Sequence, residues 1–82
     1  MKRKQKKLNT YFTSDLCLAG VLGIFYPLEK VEKESFSSKS IFVFSNSEPL
    51  EATLEKYHRS ELRVEPKVFF GQLRILKTRI HG

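Results

Sequence analysis

The side chains with the most chemical potential in this sequence are its 15 Lys and Arg residues, and they fall into two groups. Lys2, Arg3, Lys4, Lys6 and Lys7 form a block at the N-terminal end, and Arg63, Lys67, Arg74, Lys77 and Arg79 recur toward the other end. Cations spaced this densely do one thing well: they neutralise phosphates and release the counterions condensed there, which gives sequence-independent, salt-dependent binding. Residues 1–7 carry +5 and residues 63–82, with Glu65 included, carry +4. Residues 8–62 hold five Lys/Arg against eight Asp/Glu, a net of −3. The overall +6 on 82 residues is therefore two basic ends around an acidic middle. Any anion-binding function is expected at those ends.

Other chemistry finds little support. A nucleophile needs a base and an orienting group in one pocket. Cys17 lies in the most apolar segment, where a buried thiol is inert. His58 and His81 are far apart in sequence and have no carboxylate at a useful spacing. Glu51 and Glu55 are one helical turn apart, but they read as a solvated acidic face rather than a catalytic pair. Gly20 and Gly23 sit inside an apolar run and form no phosphate loop. No His/Cys/Asp spacing suggests a metal, and one cysteine excludes a disulfide framework. The expectation is a protein that is not an enzyme and carries no cofactor and no metal.

The elements that must position the basic residues fit one small domain. Residues 1–10 read as a basic, flexible tail, because a like-charge block repels itself, and residues 11–82 as a compact α+β domain. Residues 8–12 suit a short extended lead-in. Thr13 or Ser14 is placed to cap a helix, with Asp15 adding favourable charge. That helix, over about residues 15–25, is apolar nearly all round and so belongs at the centre, with Gly23 as a candidate stop. Pro27 forbids further helix. Residues 28–34 alternate as an exposed strand, and residues 40–45 (SIFVFS) form the clearest strand in the chain. Together they predict a two-stranded antiparallel hairpin packed on helices. Asn46-Ser47-Glu48-Pro49 starts a helix on which Leu50, Leu54 and Tyr57 share a face. Pro66 starts a last helix, running to about residue 80, with Phe69, Leu73, Leu76 and Ile80 as its apolar stripe. At about 100° per residue, Lys67, Arg74, Lys77 and His81 fall within about 80° of each other, and Arg79 falls across the stripe. The predicted order is α-β-β-α-α.

Residues 16–28 are thirteen residues without a charge, too short for the roughly 20 that span a bilayer. The basic start partly imitates a secretion signal, but Asn9, Thr10, Thr13, Ser14 and Asp15 separate it from the apolar run. A cytoplasmic protein with no membrane partner is the expectation.

Phe12, Thr13, Asp15, Leu16, Leu18 and Ala19, the strand carrying Phe42 and Phe44 before Asn46-Ser47, and the closing series Tyr57, Val64, Pro66, Phe70, Leu73, Leu76 and Lys77 occur in a distinctive order. In this the chain resembles a small bacterial, archaeal and phage family, domain of unknown function 5659, over about residues 11–80. The resemblance brings no activity and no site residues. It implies a small accessory protein, often in phage or mobile-element neighbourhoods. The turn over residues 35–40, longer than the family's and without its glycine, departs from the pattern.

Two functions follow as expectations. The first is binding to RNA or DNA, or to a ribonucleoprotein, through the tail and the basic face of the last helix. Seven neutralised phosphates would give a slope of about −6 in log K against log salt. Tyr11 and Phe12 are the aromatics placed beside the tail for base stacking, although a hydrophobic staple accounts for them better. The second is docking on a larger protein or nucleoprotein complex, or on a second copy as a homodimer. It is motivated by the apolar segments over residues 16–25 and 41–44, which exceed what a tiny fold easily buries.

Overall fold

The computed structural model describes residues 9–33 and 39–81. It is an α+β domain with the order β1 (Thr10–Thr13), α1 (Leu16–Phe25), β2 (Leu28–Lys33), β3 (Ser40–Ser45), α2 (Glu48–His58) and α3 (Pro66–His81). The helices and the hairpin fall where their periodicity places them. The sheet, however, has three strands rather than two, in the order β1-β3-β2, with both neighbours antiparallel to the central β3. The extended lead-in is that third strand: Tyr11 sits opposite Phe44 and Phe12 opposite Val43. Pairing reaches further still, since the Asn46 amide donates to the Asn9 carbonyl at 2.9 Å. The tail set at residues 1–10 therefore overlaps the sheet at its last two residues. The remainder of that tail, and the turn expected over residues 35–40 except for its last two residues, lie outside the described residues.

The third strand accounts for a β3 that is apolar on both faces. A central strand has no free edge, and its alternating side chains meet different layers. Phe42 and Phe44 join the helical core at 1% and 0% exposure, alongside Leu18, Ala19, Leu22, Leu50 and Leu76. Val43 is also buried but points to the opposite face, beside Phe12 and Lys30. On β2, Glu29 is the extra residue of a bulge between Leu28 and Lys30, and its carboxylate accepts from the Ser45 hydroxyl.

Each helix has a local cause for its start. Asp15, rather than Thr13 or Ser14, caps α1: its carboxylate accepts from the amides of Cys17 (3.0 Å) and Leu18 (3.2 Å), while Thr13 Oγ1 accepts from the Asp15 amide. The helix runs through Gly23 and stops at Phe25, where Tyr26 turns extended ahead of Pro27. Ser47 caps α2 by accepting from the Leu50 amide at 3.2 Å. Glu65 caps α3, its carboxylate accepting from the Val68 amide at 2.9 Å, with Pro66 in the first helical position.

α1 is central because it has no polar face, and α3 packs chiefly against it. The two helices approach closely at Gly20: a β-carbon there would lie 2.8 Å from Leu73 Cδ2 and 3.0 Å from Phe69 Cε1. Tyr26 at the end of α1 is tied to α2 by a 2.7 Å hydrogen bond between its hydroxyl and Thr53 Oγ1. Burying a side chain the size of Phe42 or Leu76 contributes about 1.5–3 kcal/mol.

Candidate nucleic-acid interface

α3 is 16 residues long, yet only Leu76 on it is fully buried. Phe69, Leu73 and Ile80 are half-buried along the same stripe. The helix therefore lies on the domain as a shallow outer layer and turns a broad face outward. Lys67, Arg74, Lys77, Arg79 and His81 are all exposed on it. No acidic residue follows Glu65 in the chain. Among the described residues none of the α3 cations forms an ion pair; the pairs that do form there are Lys30–Glu32 at 2.9 Å and Arg59–Glu55 at 3.3 Å. Part of the charge has a structural use, because Arg79 in the last turn complements the helix dipole. Lys67 and Arg74 lie too far from that end for the same explanation.

On the ridge, Phe70 stands between Lys77 and Arg74. By helical rotation the order across the face is Lys77, Phe70, His81, Arg74 and Lys67, about 20° apart. Phe70 is 58% exposed, the highest value among the exposed large apolar side chains. Its ring leans on Phe69, with centroids 5.7 Å apart and the planes tilted by 53°. Phe70, Leu73, Arg74 and Lys77 line an open depression of about 330 Å³.

The structure distributes the sequence-predicted residues unevenly. Lys67, Arg74 and Lys77 share one face. Arg79 lies across the helix, on the side of Val68. Arg63 is engaged locally, since its Nη1 donates to the Ser60 and Leu62 carbonyls at 3.3 and 3.5 Å and so fixes the loop between α2 and α3. Lys2, Arg3, Lys4, Lys6 and Lys7 lie outside the described residues. Of the aromatics placed beside the tail, Tyr11 is half-buried against the core, and burial followed by the Asp15 charge raises its hydroxyl above the ordinary tyrosine value. Phe12 is 51% exposed but on the sheet face opposite the helices. Sequence reasoning missed Phe70 as part of the ridge. The signal was present, since Phe70 stands four residues before Arg74 and seven before Lys77, one side of a helix.

Cys17 corrects the sequence reading in another way. It is exposed, at the second position of α1, rather than buried. A hydrogen bond with the Cys17 side chain, then burial, then electrostatic interaction with Cys17 and Asp15 push the Tyr57 hydroxyl up to about 12. Among the described residues no three His, Cys, Asp or Glu side chains gather as a metal site, and no helix is long and apolar enough to cross a membrane.

No curated protein and no solved structure matches this chain significantly. A family profile does match it, over residues 8–82, from just before β1 to the end of α3. With nearly its whole length inside that match, the chain belongs to the family described as domain of unknown function (DUF5659).

Proposed function

We propose that this is a small non-enzymatic accessory protein that binds nucleic acid, free or within a nucleoprotein complex, through the basic face of α3 together with its basic N-terminal tail. The phage or mobile-element setting that the sequence resemblance implies suits such a role, as does a cytoplasmic location. The observation that carries the reading is the acid-free face of α3, on which Lys67, Arg74 and Lys77 surround Phe70 without ion-pair partners among the described residues. An ordinary solvated helix face mixes both signs, as α2 does with Glu55 and Arg59.

The test is a salt titration of binding to a labelled oligonucleotide from about 50 to 200 mM. Removing one phosphate-binding cation should shallow the slope of log K against log salt by about 0.7–0.9, so the variant Lys67→Gln/Arg74→Gln/Lys77→Gln should lose about 2–3. A slope unchanged by the triple substitution, or binding indifferent to salt, refutes the reading.

A second reading, protein docking, rests on residues outside α1 and β3, whose apolar side chains are largely spent in the core. Among the exposed apolar side chains, Val68 and Ile75, 48% and 52% exposed, stand two helical turns apart on the flank of α3 away from Lys77. Gly71, where an added β-carbon would meet open space, lies between them. A homodimer along this flank would appear in light scattering at high micromolar concentration.

A further inference from the structure

The α3 face joins two features that together select among nucleic acids: an exposed aromatic ring and cations at one and two turns from it on the same side of the helix. We propose that the α3 site takes single-stranded nucleic acid, with one base stacked on Phe70 and the flanking phosphates held by Lys67, Arg74 and Lys77. This rests on the nucleic-acid reading above and narrows its substrate class. In a duplex each base is already stacked between its neighbours, and only phosphates and groove edges are presented. A lone exposed ring gains nothing from a duplex unless a base is flipped out. An unpaired strand offers a free π-face at every nucleotide, and a charged track with interleaved aromatics is how strands are held without sequence preference.

The geometry suits this occupant. Phe70 lies outside the core stripe, since Leu76 and the half-buried Phe69 and Ile80 are about 80–120° away around the helix and Leu73 stands at the border between stripe and ridge. The depression it lines with Leu73, Arg74 and Lys77 is about 330 Å³, at the low end of the roughly 300–1,000 Å³ of small-ligand sites, which suits one flat base. Its lining contains no carboxylate to repel a phosphate. From Lys67 to Lys77 the ridge runs about 15 Å along the helix axis. An unpaired strand is more extended than the roughly 3.4 Å per nucleotide of a duplex, so the ridge meets the phosphates of fewer than about four nucleotides.

The experiment compares a fluorescently labelled twelve-nucleotide oligo(dT) with a twelve-base-pair duplex by anisotropy, on the full chain. Phe70→Ala should weaken oligo(dT) binding by about 5- to 150-fold, the effect of removing one base–aromatic stack. Its salt slope should stay unchanged, and duplex affinity should move less than about twofold. Phe70→Leu, which keeps an apolar side chain without a ring face, should fail like Ala, and Phe70→Tyr should restore binding. Circular dichroism melts check that the exposed substitutions leave the fold intact. If Phe70→Ala weakens strand and duplex equally, or neither, or if Leu rescues as well as Tyr, the stacking inference is overturned. A shallower salt slope in Lys67→Gln/Arg74→Gln/Lys77→Gln would then leave the broader reading standing. If neither probe binds, both are overturned.

Discussion

Ser60 shows how a single residue can be set against its own preference. It follows the Arg59 C-cap of α2 with a φ of 61°, the one positive value among the described non-glycine residues. The Glu61 amide donates to the Lys56 carbonyl at 2.9 Å and the Ser60 amide to the Tyr57 carbonyl at 3.0 Å, the paired bonds of a Schellman ending. That ending satisfies carbonyls which α2 would otherwise leave open, and it requires the left-handed conformation at Ser60. For a residue with a β-carbon this costs about 1–2 kcal/mol. Ser60→Gly keeps both hydrogen bonds and removes most of that cost, less the entropy glycine loses on folding. The expected gain is about 1 kcal/mol, an unfolding midpoint raised by about 4–8 °C in a calorimetric scan. An unchanged midpoint would mean that the serine hydroxyl compensates locally.

The close crossing of α1 and α3 makes its two glycines different at the scale of the element. At Gly20 the space a β-carbon would need is held by Leu73 and Phe69, whose positions fix how α3 sits and hence where its outer face points. At Gly23 the nearest atom is Gln72 Oε1, 2.7 Å from an added β-carbon and at the free end of a flexible side chain. Gly20→Val should destabilise the fold by about 1–3 kcal/mol through overpacking. Gly23→Ala should be neutral or stabilising by up to about 1 kcal/mol, because Gln72 swings aside and the helix gains propensity. Urea denaturation midpoints of the two variants, with their m-values compared, decide the matter. Equal effects would show that the seam is not as tight as the distances imply. In the sequence the two glycines stand out as a pair of helix-weakening residues in an apolar run. Which of them meets a fixed apolar side chain of α3 and which a movable one is not visible there, because that depends on the rotation of one helix against another.

For the whole molecule, the segregation of charge matters more than its sum. The tail carries five of the cations assigned to binding, and among the described residues the pairing at this end starts with Asn9 and Thr10. A like-charge block without apolar side chains beyond Met1 adds little to a core, so removing residues 1–7 should leave the unfolding midpoint unchanged. It should also shallow the salt slope for a single strand, by up to about 3.5 if all five cations meet phosphates. A full slope in the shortened chain would confine the binding to α3. The two halves of the predicted interface differ in how legible they are. The ridge Lys67, Arg74 and Lys77 can be read from spacing, because a helix converts sequence intervals into angles without help from the rest of the fold. Phe70 is easily overlooked, because an aromatic near an apolar stripe reads as core until the depth of the helix is known. Arg63 looks equally basic, yet it is occupied by the Ser60 and Leu62 carbonyls.

What the sequence determined alone was everything set within about one turn or one strand: the helix starts at Ser47 and Pro66, the stop before Pro27, the hairpin, and the basic face of α3. These depend on local hydrogen bonds and on periodicities of 3.6 and 2. What only the tertiary structure decided was partnership across the chain. The extended residues Thr10–Thr13 became a strand because Phe42, Val43, Phe44 and Ser45 were there to pair with them. Strand pairing of this kind is a long-range event whose favourable terms come from the partner. The two apolar faces of β3 thus changed from an apparent docking surface into the middle of a sheet. The exposed aromatic that the functional reading needed was found instead on α3, where packing against α1 had turned it outward.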